Sequence, residues 1–134
     1  MPNLKYQKEV DEMDCDFKGF VERERVAFRW TFENIDDQRN FLPRFLLQPK
    51  RERNDCIGWG LSFYTTQEAA KKRLIDIVGY RKNLYKKLGD HVAKGNLIKN
   101  DGLSDKEQDN GHFTHFEYEK IDLTLTFNVV EKIQ

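Results

Sequence analysis

The sequence predicts an α+β fold, a mostly antiparallel sheet packed against two or three helices. Three observations carry it. Apolar and polar residues alternate in stretches near both ends of the chain, a capped helical segment lies between them, and no internal repeat interrupts the order. The length, 134 residues, suits a single domain over 1–134 that buries a core without disulfide or metal staples.

Residues 1–20 scatter Leu4, Tyr6, Val10, Met13, Phe17 and Phe20 among charges and read as an irregular arm or short helix. RVAFRWTFENI follows, with Val26, Phe28, Trp30 and Phe32 on one face and Arg25, Ala27, Arg29, Thr31 and Glu33 on the other. Period-two alternation in β-favouring residues predicts a half-buried strand. Residues 34–55 form a long connection holding Pro43, Pro49 and the run KRERND, anchored by Phe41, Leu42, Phe45, Leu46 and Leu47 through a short helix. Connections this long are often functional.

CIGWGLSFY alternates again, Ile57, Trp59, Leu61 and Phe63 facing the core and Gly58, Gly60, Ser62 and Tyr64 the other way. Thr65 and Glu68 then fit the T-x-x-E capping box, whose side chains satisfy free amides at a helix start. Ala70, Leu74, Ile77 and Val78 give that helix its apolar stripe, and Gly79 stops it. RKNLYKKLG makes a second short helix with Leu84, Tyr85 and Leu88 inward. HVAKGNLI is a strand with a glycine bend, and 99–111 a mobile polar loop. HFTHFEYE and IDLTLTFNVVEKI close the chain as strands, Ile121, Leu123, Leu125, Phe127 and Val129 sharing one face, with a turn or bulge near Glu119–Lys120 where the apolar phase shifts.

Lys plus Arg and Asp plus Glu number 23 each, so no net basic field favours nucleic acid or a membrane surface. Hydrophobic content of 38% beside 34% charged residues implies a modest core, to which 10 Phe, 5 Tyr and 2 Trp add large buried areas. Cys15 and Cys56 lack metal-ligand spacing; the pair allows one disulfide, but in a chain without an export signal it reads first as two free thiols of a cytoplasmic, bacterial protein. No stretch is apolar enough for a signal or a membrane span.

H-x-x-H-x-E-x-E, from His112 and His115 to Glu117 and Glu119, is the one metal-like pattern, but residues three apart on a strand face opposite sides. With His91 remote in sequence, no metal is expected. Lys71, Lys72, Arg73, Arg81, Lys82, Lys86 and Lys87 form a basic surface able to meet phosphate or an acidic partner, though read first as a solvated helix face. The small side chains Gly58, Gly60 and Ser62, with Thr65 and Thr66 at the helix start, mark the strand-to-helix corner as the candidate ligand site. No nucleophile elbow, dinucleotide fingerprint or P-loop is present.

Arg29 in FRW, LSFYTT leading into a helix, and the acids of FEYE resemble, in their order, the arginine, serine–threonine and glutamate elements of small ADP-ribosyltransferase-like domains. The resemblance implies an NAD cofactor, with Arg29, Ser62 and Glu117 or Glu119 as catalytic residues. Departures are the missing Ser-Thr-Ser triplet and the missing glycine after the arginine. The residues themselves favour a binding or interaction module, accessory or immunity-type, that recognises another protein and has no catalysis or cofactor of its own. The NAD-linked transferase and a weak nucleic-acid-associated factor are the alternatives.

Overall fold

The computed structural model describes residues 2–50 and 52–133. Six strands, β1 (Arg25–Thr31), β2 (Leu61–Tyr64), β3 (His91–Leu97), β4 (Gly102–Ser104), β5 (His112–Glu117) and β6 (Phe127–Lys132), form one sheet. Their order is β4-β5-β2-β1-β3-β6, every neighbouring pair antiparallel. Helices α1 (Gln7–Glu12), α2 (Arg44–Leu47), α3 (Gln67–Val78) and α4 (Tyr85–Leu88) complete the α+β architecture.

Both sheet faces are covered. On the first, Ala27, Leu61, Phe63, Ala93, Leu97, Phe113 and Phe127 make a closed core with Leu123, against which Ile35 and Phe41 pack. On the second, Phe28, Tyr64 and Val92 pack on Ala70 of α3. Farther along that face, Leu103 and Phe116 meet Leu4, Val10, Phe45 and Trp59. The half-buried reading of β1 is therefore corrected: Ala27 and Thr31 are buried while Val26 is exposed. A central strand takes burial from both sides, which alternation alone does not reveal.

Alternation also overextended two strands. Ile57–Trp59 is a 3-10 turn, and Ile57 is exposed, so β2 holds only Leu61–Tyr64. Leu123–Leu125 is another 3-10 turn with Leu125 81% exposed, which leaves Phe127–Lys132 as β6. The 99–111 segment is not one polar loop. Asp101 and Gly102–Ser104 are buried, β4 pairs with β5, and Ser104 exchanges backbone bonds with Val21 of the arm. The arm contributes α1 and buried Val10, and the turn at 119–120 falls where the phase shift placed it.

The cap of α3 is Thr66, whose hydroxyl accepts from the Ala69 amide at 3.0 Å, one residue later than the expected Thr65. Thr65 instead donates its amide to the Gly111 carbonyl. Gly79 ends the helix at φ +53. Cys15 and Cys56 are joined in a disulfide, which corrects the free-thiol reading. It fastens the arm to the turn preceding β2.

The strand-to-helix corner owes its small residues to the protein's own rings. A Cβ on Gly58 would enter the Phe45 ring, and one on Gly60 would meet Thr114 Cγ2 and the edge of Phe116. Gly58→Ala is accordingly expected to destabilise the protein by about 1–3 kcal/mol, read from its urea midpoint, because a rigid ring must shift in a filled core.

One joint in the sheet is weak. β1 and β3 hold seven paired positions, from Arg25↔Leu97 to Thr31↔His91, whereas β1 and β2 share only Phe28↔Tyr64. Continuing that register would set Trp30 opposite Ser62. Instead the strands part, and the Ser62 carbonyl accepts from Arg29 Nη1 at 2.8 Å.

Candidate anion-binding cleft

The parted strands open into a cleft of about 1060 Å³ on the second face. α3 contributes Arg73 and Ile77, α4 and the turn before it Leu84, Lys86, Lys87 and Leu88, and the long connection Arg39, Asn40, Leu42, Arg44 and residues 47–50. Trp30, Phe32, Gly60, Ser62, Tyr64 and His112 line it from the sheet side. Seven cationic side chains, Arg29, Arg39, Arg44, Lys50, Arg73, Lys86 and Lys87, border the space, and no Asp or Glu is among the described lining residues. In a chain with zero net charge, such segregation concentrates positive potential in one concavity.

Arg29 sits at the floor. By register its side chain belongs to the first face, yet the gap between β1 and β2 exposes it to the cleft. Nε donates to the Asn40 carbonyl at 2.7 Å, Nη1 to Ser62 and Nη2 to Leu42 at 3.3 Å. Desolvation lowers its pKa to about 10, with Glu117 pulling the other way, so it stays cationic at neutral pH. Asn40 braces this arrangement. Its Oδ1 accepts from the Phe32 amide at 2.7 Å, and its Nδ2 donates to the Asn34 and Ile35 carbonyls.

Cations converge on the wall formed by Tyr64 and His112. Arg73, Arg29 and Arg44 all act on the Tyr64 hydroxyl, which desolvation nevertheless shifts upward. Arg44 and Arg73 also act on His112, whose pKa is lowered chiefly by desolvation, with Asp105 opposing. Among the described residues Arg44 and Arg73 make no salt bridge, whereas Arg39 is paired with Asp37 at 2.7 Å. Trp30 stacks on Tyr64 at 5.6 Å and donates Nε1 to the Ala70 carbonyl, so the aromatic wall is fixed. Ser62 Oγ lies 3.0 Å from His112 Nε2.

The structure brings Arg29, Ser62 and Gly60 to one cleft with Arg73, Lys86 and Lys87 of the basic surface. Glu117 and Glu119 stay outside that lining. Glu117 is buried against Lys5 Nζ at 3.1 Å, its carboxyl raised by desolvation with Lys5 opposing, and Glu119 is exposed in the turn after β5. Gly58, Thr65 and Thr66 serve packing and capping. Lys71 pairs with Glu131 at 2.7 Å, Arg81 bonds the Ile77 carbonyl, and Lys72 and Lys82 point to solvent. His112 and His115 fall on opposite faces, each bonded to a different serine.

Sequence reasoning missed Arg44 and His112 as cleft residues. The first lies in a connection without periodicity. The second falls in the sequence only within the metal-like H-x-x-H-x-E-x-E pattern, and its alignment with Tyr64 depends on the β2–β5 register. Compared with protein-family models, curated proteins and solved structures, the chain gives no match. Among the described residues no helix is long and apolar enough to cross a membrane, and no cluster of metal-ligating side chains occurs.

Proposed function

We propose that the protein is a binding module whose ligand is a phosphate-bearing polyanion held in the cleft between β1, β2 and α3. The observation that carries this reading is the seven-cation lining without a carboxylate. The cations line a concavity rather than a flat patch, which suits a compact polyanion better than the broad surface a protein partner needs. Guanidinium groups match phosphate oxygens in a planar fork, and among the described residues Arg44 and Arg73 carry neither a salt bridge like that of Arg39 nor the three carbonyl bonds of Arg29. The volume exceeds what a lone phosphate needs and fits a nucleotide or several linked phosphates. The NAD-linked reading keeps its pyrophosphate chemistry here, but Arg29 is engaged by three carbonyls and Glu117 by Lys5. The Cys15–Cys56 bond argues for work in an oxidising compartment rather than in the cytoplasm.

Fluorescence anisotropy of a short fluorescein-labelled single-stranded oligonucleotide tests the reading, with NAD and inorganic pyrophosphate as competitors. Binding should weaken steeply with salt. The double variant Arg44→Glu/Arg73→Glu should bind at least about tenfold more weakly, since each reversal replaces an attraction by a repulsion. Unchanged affinity in that variant, or binding indifferent to salt, refutes the proposal.

A further inference from the structure

The protein contains two serine–histidine hydrogen bonds, and they differ in one respect. Ser104 Oγ and His115 Nδ1 lie 2.6 Å apart in a closed interior, both residues about 1% exposed. Ser62 Oγ and His112 Nε2, 3.0 Å apart, both line the cationic cleft. The first pair satisfies buried polar atoms. The second presents a hydroxyl and a base to whatever the cleft holds.

We propose that Ser62 and His112 act as nucleophile and base in the hydrolysis of a phosphodiester seated in this cleft. The inference rests on the phosphate-binding reading above. A serine hydroxyl is a weak nucleophile until a base within about 2.6–3.2 Å takes its proton, and the Oγ–Nε2 separation meets that condition. The base must also be unprotonated and its ring held. Tyr64 meets the His112 ring edge-on at 5.4 Å, while the backbone N–H of His112 donates to Asn110 Oδ1 and fixes the start of β5. Desolvation, joined by Arg44 and Arg73 and opposed by Asp105, favours the neutral imidazole.

In the first step Ser62 Oγ bonds to phosphorus while its proton passes to Nε2. The ester bond to the leaving alcohol breaks, and that oxygen takes the proton back from the imidazolium. Water then attacks the phosphoryl-serine, gives one proton to His112, and releases a phosphomonoester as Ser62 regains its proton. The balance is one diester and one water to one monoester and one alcohol. Charge building on the non-bridging oxygens faces the guanidinium groups of Arg44 and Arg73, fixed dipoles and charges being the largest source of such stabilisation. A diester suits the site because the lining adds cations from separate elements, Lys50 of the connection and Lys86 and Lys87 of α4, in a volume larger than one phosphate needs.

Bis(p-nitrophenyl) phosphate is the probe, with p-nitrophenolate release followed by absorbance. Wild type should turn it over, and Ser62→Ala and His112→Gln should each lose about 100-fold or more. Both variants should keep the native far-UV circular dichroism spectrum and unfold cooperatively, which separates lost chemistry from lost structure. Acid-quenched wild type should carry the aryl phosphoryl group on Ser62 by peptide mass, and Ser62→Ala should not. The rate should climb to a plateau as His112 deprotonates, below the ordinary histidine range. Wild-type turnover in either variant overturns the pair. No release above the protein-free rate while the oligonucleotide still binds overturns the chemistry and leaves the binding reading intact. Loss of both binding and release overturns the two together.

Discussion

Arg29→Met is expected to lower the unfolding free energy by about 3–5 kcal/mol, because it leaves three inward-facing carbonyls without their donor. Those of Asn40, Ser62 and Leu42 all converge on one guanidinium. Arg29→Lys should recover only part of the loss, since an ammonium lacks the planar fork that reaches three acceptors at fixed angles. Urea midpoints of the three proteins check both statements. A loss below about 1 kcal/mol in the methionine variant would mean that the joint between β1 and β2 is held by other contacts. The same substitution removes positive charge from the cleft floor, so oligonucleotide affinity should fall in any molecules that remain folded.

The second large effect is acid-linked. His115, on the first face of β5, is buried, and desolvation lowers its pKa from 6.5 to about 4, with Arg25 adding to the shift and the Asp101 backbone opposing it. Ser104 Oγ bonds its Nδ1. A histidine with a folded pKa below its unfolded value binds its proton more readily in the unfolded chain. Its contribution is therefore complete above pH 6.5 and is lost as pH falls toward 4, amounting to about 3 kcal/mol. Glu117, with its carboxyl raised, works in the opposite direction over part of that window. Comparison with His115→Asn isolates the histidine. That variant, whose amide can take the place of Nδ1 opposite Ser104, should show a flatter dependence of stability on pH between 6.5 and 4. Parallel curves for the two proteins would refute it.

β1, the body of α3 and β3 are legible in the sequence, because their periodicities are set by the sheet and helix surfaces they cover. Residues 57–60 and 123–126 are not. Both alternate like strands, yet a 3-10 turn also buries single residues such as Trp59 and Leu123 in a larger hollow. The 102–104 strand was invisible for the opposite reason: three residues are too few to show a period. The site was half legible. Gly60 and Ser62 were singled out from local pattern and Arg29 from the family resemblance, and all three reach the cleft. What local pattern does not contain is register. The pairing of Tyr64 with His112 and Ser62 with Thr114 brings together residues 50 positions apart, and only that pairing sets a base beside the hydroxyl. The Cys15–Cys56 bond is of the same kind, since two cysteines 41 positions apart say nothing of the path the arm takes across the sheet.

The single Phe28↔Tyr64 pair divides the sheet into two ladders, β4-β5-β2 and β1-β3-β6. Almost no backbone pairing joins them, so their union rests on side chains: the core of Ala27, Phe63, Phe113 and Phe127, Ala70 of α3 beneath Phe28 and Tyr64, and the Arg29 guanidinium on the Ser62 carbonyl. The cleft is thus framed by residues of both ladders, Trp30 from one and Ser62, Tyr64 and His112 from the other, and its shape is a property of packing rather than of strand pairing.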